Sequence, residues 1–410
     1  MSRRHPLGEH DFRLLWVGQT VSEVGSAQYT IAYMWWVAQR SHSPGTVSLI
    51  VLLSMLPGVL LGILAGGLTD RYRKKVVLVV GDALRGVIIL EVALLGYTGQ
   101  LTIYHFFAVA TLLSVVNAFF RPAYSASVPH AVGKDLLVKA NSLTSMSRSL
   151  SGIIGPVIGG IVTATVDANL AFLLNSISFF FAAFCESGMR LTSDNPGGVG
   201  IERPAFLVVL KRSFRTVFQE PTAVTAAGMF AAVNFLVTPI IVLLPFIAQH
   251  LHTGSVGYGV LRMAEAAGIL LVSMLFGTFS RKIGSADNMV RLGLALTGGA
   301  IISVGLQSET LGTDISLFVS GIGIGILGIY LNTIVQTRTP KEHLGMVFGL
   351  RGTLTDFLMP VGLLLSGLMA SYVSLSSLLE SAGMGLLLLL IPAAWLSARG
   401  RKELSANIYE

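Results

Sequence analysis

Residues 47–75 read VSLIVLLSMLPGVLLGILAGGLTDRYRKK: positions 47–69 carry no charge, and the next six hold one acid and four cations. An α-helix rises about 1.5 Å per residue, so about 20 residues cross the roughly 30 Å of bilayer hydrocarbon. The run is long enough to span a membrane. The basic cluster then fixes the side on which it ends, because cytoplasmic loops retain Lys and Arg.

Moving outward, the same reading finds twelve apolar segments, near 13–38, 47–68, 76–97, 102–122, 141–166, 169–189, 222–248, 257–279, 289–307, 314–336, 345–370 and 374–397. Of the 28 Lys and Arg, 23 fall in every second gap, and Arg40 alone falls in the alternate gaps. That asymmetry predicts twelve transmembrane helices in an all-α polytopic protein with both termini cytoplasmic. With 410 residues, 53% of them hydrophobic and 12% charged, spans and short connections leave little length for a soluble catalytic domain. The net charge of +7 is spread over seven membrane-flanking segments rather than gathered on one face, which argues against nucleic acid as a partner. Cys185 is the single cysteine, so no disulfide or Cys-based metal site is expected. No Walker loop, HExxH or GxSxG constellation occurs, so neither nucleotide binding nor hydrolysis is expected. Gly323-Ile324-Gly325-Ile326-Leu327-Gly328 has dinucleotide-loop spacing but lies mid-span, where it reads as helix packing.

The longest polar gap divides the chain into an N-terminal six-helix bundle (1–190), a cytoplasmic linker (191–219), a C-terminal six-helix bundle (220–402) and a cytoplasmic tail (403–410). Within the linker, Phe206, Leu210, Phe214 and Val217 recur at helical spacing with Lys211, Arg212 and Arg215 between them, an amphipathic pattern. The halves echo each other: GGLTDRYRKK after span two corresponds to FGTFSRKIGS after span eight. Parallel six-helix repeats with a site between them at mid-membrane are the architecture of a rocker-type secondary transporter.

Ionisable groups inside spans are the best functional clues, since each costs at least a few kcal/mol unless paired or wetted. Glu23 lies mid-way along helix one with Gln19, Ser26 and Thr30 on its stripe. Asp356 lies mid-way along helix eleven, near Arg351. Arg262 and Glu265 are i, i+3 on helix eight, Asp82 and Arg85 repeat that spacing on helix three, and Arg148 on helix five has no local partner. Tyr29 and Tyr33 offer aromatic surface to a bulky apolar substrate, whereas Trp35 and Trp36 read as an interfacial belt.

Gly67 to Lys75, with Asp70, Arg71, Arg73 and Lys74, resembles the signature loop between helices two and three of the major facilitator superfamily, with Arg73 in place of a usual Gly. Gly155, Pro156, Gly159 and Gly160 resemble the fifth-helix motif of that superfamily's antiporters. The stretches from Arg121 to Leu143 and from Gln336 to Gly345 resemble the branch of drug/proton antiporters that includes macrolide-efflux and enterobactin exporters. Many drug/proton antiporters carry an Arg inside helix four; residues 102–120 contain no cation. The resemblance implies a monomeric, multi-pass protein of the inner (cytoplasmic) membrane, with no cofactor and the proton gradient as energy source. It further implies helices one, eight and eleven lining the cavity, so Glu23, Asp356, Glu265, Arg262, Arg148, Arg351, Gln19, Tyr29 and Tyr33 become the expected coupling and substrate residues. Helix three is peripheral in the superfamily, which makes Asp82 and Arg85 a structural pair. The expected function is proton-coupled export of hydrophobic or amphiphilic small molecules, with a siderophore, another anionic metabolite or a lysolipid as the alternative cargo.

In the loop, Asp70 can accept hydrogen bonds from a facing helix N-terminus while Arg71 and Arg73 reach carboxylates or carbonyls, a latch for the inner gate. Asp70→Asn is expected to leave membrane insertion intact and to lower transport at equal expression; equal transport would contradict the latch.

Overall fold

A computed structural model describes residues 5–69, 72–190, 221–279, 285–339 and 344–396. Twelve α-helices lie among them: α1 His10–Ser41, α2 Pro44–Thr69, α3 Lys74–Tyr97, α4 Ile103–Val132, α5 Leu137–Thr165, α6 Ala168–Ser187, α7 Pro221–His250, α8 Gly254–Phe279, α9 Ala286–Leu306, α10 Thr310–Arg338, α11 Leu344–Met369 and α12 Leu375–Leu388. The linker with its amphipathic pattern, Asp70, Arg71 and the tail lie outside the described residues.

Local chemistry sets several boundaries. Asp167 accepts the backbone N–H of Leu170 at 2.8 Å to open α6, and Ser374 accepts that of Ser377 at 3.1 Å to open α12. α1 stops at His42, whose φ of 49° turns the chain into Pro44 and α2. Lys75 Nζ donates to the Met189 carbonyl at 2.7 Å, satisfying an acceptor just past the C-terminus of α6.

Among the described residues eight helices are long and apolar enough to cross a membrane: α2, α4, α6, α7, α8, α9, α10 and α12, the last measured to Leu396. Of the other four, α1, α3 and α5 carry Glu23, Asp82 with Arg85, and Arg148, charged side chains that lower their apolar character, while α11 is apolar over Leu354–Met369.

One boundary departs from expectation. α4 was expected to end near 122 but runs to Val132 through Pro122 and Pro129. A proline removes one intrahelical hydrogen bond, which membrane helices tolerate when neighbours re-satisfy the freed groups. Arg121 is therefore a helical residue rather than a loop cation.

The chain forms two compact units, Met1–Gly200 with Ala248–Met263, and Ile201–Ile247 with Ala264–Glu410. In the first, α1 packs on α5 and α6, α2 on α4, and α3 on α4 and α6. In the second, α9 packs on α10 and α12, and α10 touches α11. The start of α8 belongs to the first unit rather than the second, because Ser255 Oγ donates to the Gly160 carbonyl at 3.0 Å and Tyr258 donates to Met34 Sδ at 2.9 Å.

Small residues make the closest approaches, as expected where lipid and side chains are equally apolar and packing must supply the attraction. A Cβ on Gly18 would touch Ala182 and Cys185 on α6 at 3.1 Å, and one on Gly25 would collide with Ser178. On α5, Gly155 faces Ala27 and Val24 of α1, while Gly159 lies against the Gln28 backbone. The glycines of the α10 run pack likewise, Gly323 on Thr297 and Gly325 on Val272. Phe12, Leu15, Leu78, Phe120, Ala123 and Met189 form an apolar cluster joining the ends of α1, α3, α4 and α6.

Gly159→Ala puts a methyl group into the Gln28 backbone, whereas a Cβ on Gly152 of the same helix meets nothing within 4 Å. Overpacking costs about 1–3 kcal/mol and an exposed helical Gly→Ala gains up to about 1. The thermal midpoint in detergent is expected to fall for Gly159→Ala and to hold or rise for Gly152→Ala; equal shifts would contradict the packing role.

Candidate functional site

The first unit holds two adjoining cavities that share Ser26, Arg85 and Asn117. The smaller, about 240 Å³, is walled by Tyr29, Tyr33, Phe106 and Phe179. Its aromatic wall is built by α1, α4 and α6: Tyr29 lies 5.1 Å from Tyr33 and 5.5 Å from Phe172, and Phe106 lies 5.8 Å from Phe172, centroid to centroid. Such pairs contribute about 0.5–1.5 kcal/mol each beyond area burial, so the wall is stiff. The larger cavity, about 670 Å³, is lined by Gln19, Glu23, Arg85, Arg121, Tyr124 and Arg148, with serines and small residues between them. A chamber with an aromatic wall adjoins a charged one.

Glu23 and Arg148, 125 residues apart in the chain, meet at 3.4 Å, Arg148 Nε donating to Glu23 Oε1. Arg148, which has no partner on its own helix, finds one across the cavity. Glu23 is the only carboxylate among the residues lining either cavity, against Arg85, Arg121 and Arg148. Arg121 lies at the end of the stretch expected for helix four, and α4 continues past it to Val132.

Gln19 does not serve Glu23. Its side-chain N–H group donates to Asp82 Oδ2 at 2.8 Å and to Glu186 Oε1 at 2.9 Å. Arg85 Nη1 pairs with Asp82 Oδ1 at 2.9 Å, and the guanidinium stacks 3.5 Å above the Phe120 ring. Asp82 and Glu186 are fully buried. This cluster ties α1, α3 and α6 together, and through Arg85 and Gln19 it borders the larger cavity. The i, i+3 pairing of Asp82 with Arg85 is as expected, but the pair is part of a four-residue network at the cavity edge. Glu186 was missed: it is the second-last residue of α6, and only the fold brings it to α3.

Of the other expected residues, Arg262 belongs to the first unit and acts electrostatically on Tyr33. Glu265, Arg351 and Asp356 belong to the second. Glu265 is buried, with its carbonyl against Gly321. Arg351 donates to Asn332 Oδ1 and stacks 4.0 Å over Phe230. Asp356 is exposed. Gly155, Gly159 and Gly160 make the helix contacts given above, and the Pro156 carbonyl approaches Gly259. The described part of the signature loop runs from Gly67 to Thr69 at the end of α2 and resumes at Tyr72, with Arg73 and Lys74 at the start of α3. Trp35 is buried rather than presented to an interface, and Trp36 lies 4.4 Å under Arg40.

A family model described as "Transmembrane secretion effector" matches residues 1–406. The chain belongs to this family of major facilitator transporters. Among relatives, macrolide efflux protein A of Streptococcus pyogenes is 22% identical over 370 residues, 89% of this chain and 90% of that one. Multidrug efflux pump Tap of Mycolicibacterium fortuitum is 25% identical over 391 residues, 93% and 95% of the two chains. Among solved structures, a bacterial homologue of the human lysosomal transporter Spinster, inward-facing and occupied, superposes with a TM-score of 0.72 at 14% identity, covering 97% of this chain and 98% of that one. The major facilitator fold and a multi-pass membrane location follow for this chain, as does a small molecule as the transported partner.

Because Glu23 is the one carboxylate among the described residues lining these two cavities, Glu23→Gln is expected to weaken binding of a lipophilic cation about tenfold, which is about 1.4 kcal/mol, with little change in thermal midpoint. Unchanged affinity, measured by quenching of cavity tyrosine fluorescence, would place the cation elsewhere.

Proposed function

We propose that this protein is a secondary active exporter of hydrophobic or amphiphilic small molecules, of the multidrug and macrolide efflux type, driven by proton antiport. In this reading it sits in the inner membrane as a monomer, with twelve transmembrane helices in two pseudo-symmetric bundles and both termini cytoplasmic. Residues 1–190 rock against 220–402 with 191–219 as tether, and the loop around Gly67, Asp70, Arg71, Arg73 and Lys74 latches the inner side.

The observation that carries this reading is the joined pair of cavities. An aromatic chamber of about 240 Å³ takes an apolar body, and the adjoining polar chamber of about 670 Å³ takes a charged or hydrogen-bonding end. The names of the two relatives agree with it. The repeat reading draws support from packing, since α9 meets α10 and α12 as α3 meets α4 and α6. With no nucleotide motif in the sequence, uphill export draws on an ion gradient, and intramembrane acids are the groups able to carry a proton. Glu23 with Arg148 in the first unit, and Asp356, Glu265 and Arg351 in the second, are the groups through which substrate and proton would be sensed; Arg262 joins them near Tyr33.

A second reading is favoured by one observation. Three arginines and one glutamate line the larger cavity, a balance that suits an anionic head such as a siderophore or a lysolipid phosphate.

Cells lacking their own pumps and expressing this protein are expected to accumulate several-fold less of a macrolide or a lipophilic phosphonium than vector controls, and a protonophore is expected to abolish the difference. Equal accumulation with the protein present in the membrane would contradict drug export. Selective exclusion of a catecholate siderophore or a lysophospholipid from the same panel would favour the anionic reading.

A further inference from the structure

Beside the cavity sits a charge arrangement that Glu23 and Arg148 do not explain. Asp82 and Glu186, both fully buried, accept from the same Gln19 amide nitrogen at 2.8 and 2.9 Å, which brings the two carboxyls side by side. Two ionised carboxylates in that position repel each other, which favours the acid form of one of them. Oε2 of Glu186 is buried and receives no hydrogen bond, so the Glu186 carboxylate lacks the donors that would stabilise its ionised form. The count of charges agrees: one guanidinium, Arg85, faces two buried carboxyls, and a second uncompensated carboxylate in the interior would cost several kcal/mol.

We propose that the Asp82 and Glu186 pair holds one exchangeable proton and is the proton-coupling site of the first unit, with Arg85 as its contact to the cavity. The inference rests on proton-coupled export and assigns where the coupling proton sits. Arg85 links the pair to the cavities. One nitrogen pairs with Asp82, while Nε and Nη2 are buried without hydrogen-bond partners, and the same side chain lines both cavities.

Among the described residues, the charged and titratable groups acting on the pair are few. On α3 it is Arg85; on α4, Arg121 and Tyr124; on α6, Cys185 beside Glu186. Glu23 on α1 and Arg148 on α5 lie across the larger cavity and reach Tyr124 electrostatically. When a monovalent lipophilic cation enters, its field adds to those of Arg85 and Arg121. The Glu186 O–H bond then breaks, the proton leaves to cavity water past Gln19 and Arg85, and the new carboxylate balances the cation. Release of the cation reverses the step, so one proton exchanges for one positive charge. At low effective dielectric such charges are felt across the separation between cluster and cavity.

The test has two arms on the full-length protein. In infrared difference spectra of a pH jump, the wild type is expected to show the carbonyl stretch of one buried protonated carboxyl, sensitive to H/D exchange. The band should be missing in Glu186→Gln and present in Glu23→Gln. In proteoliposomes with tetraphenylphosphonium as probe, Glu186→Gln is expected to retain substrate counterflow, which needs no net proton movement, while the number of protons moved per substrate drops at least tenfold. If the single variant loses counterflow through misfolding, Asp82→Asn/Arg85→Gln/Glu186→Gln removes the whole charge set and leaves no buried ion unpaired; loss of its proton-to-substrate ratio supports the proposal equally. No such band in the wild type, a band that survives Glu186→Gln, or an unchanged proton-to-substrate ratio in the variants each overturns it. A wild type that shows the band yet moves no protons with any substrate overturns proton-coupled export and the coupling role together, whereas unchanged coupling in the variants overturns this assignment alone.

Discussion

A charge inside a membrane protein must be answered by another charge, a dipole or water, and the first unit is organised around that requirement. Asp82 and Glu186 are fully buried. They are held by Arg85 from the same helix as Asp82 and by Gln19 from α1, at 2.8–2.9 Å. Three helices are thereby joined at one point, and the small-residue contacts of Gly18 and Gly25 with α6 let α1 come close enough for the Gln19 amide to reach both acids. Replacing Asp82 or Arg85 alone leaves a buried ion uncompensated, which is far costlier than the pair's net contribution to stability.

The same requirement shapes the cavity. α1, α3 and α5 fall short of the apolar character of their neighbours because they hold the polar side chains that the interior needs, while α2, α4 and α6 have the composition of ordinary spans. α4 contributes Phe106 to the aromatic chamber and Arg121 to the charged one. The site is therefore amphiphilic for a structural reason. Its apolar wall is the aromatic packing of α1, α4 and α6, and its polar wall is the edge of the ionic network.

Much of the fold was legible in the sequence. The alternation of basic gaps with apolar runs located most helix boundaries to within a few residues, the C-terminal ends of α4 and α12 excepted, since length and charge are local properties. The fifth-helix glycines were legible as packing residues, and the structure seats Gly159 on the Gln28 backbone. What stayed hidden depends on distance in the chain. Arg148 finds Glu23 across 125 positions, and Glu186 reaches Gln19 across 167; neither spacing leaves a periodic trace. The continuation of α4 beyond 122 was hidden for a different reason: Pro122 and Pro129 each disfavour helix at the preceding residue, yet α4 runs through both to Val132. Trp35 was placed at an interface on composition alone, and the tight contact of α1 with its neighbours buries it instead.

The most direct test of proton-coupled export is the dissipation of an imposed proton gradient in proteoliposomes, followed with a pH-sensitive dye as each compound of a macrolide, phosphonium, siderophore and lysophospholipid panel is added. The account expects proton movement that depends on one chemical class and is absent without substrate. Proton leakage indifferent to every compound, from folded protein, would contradict it.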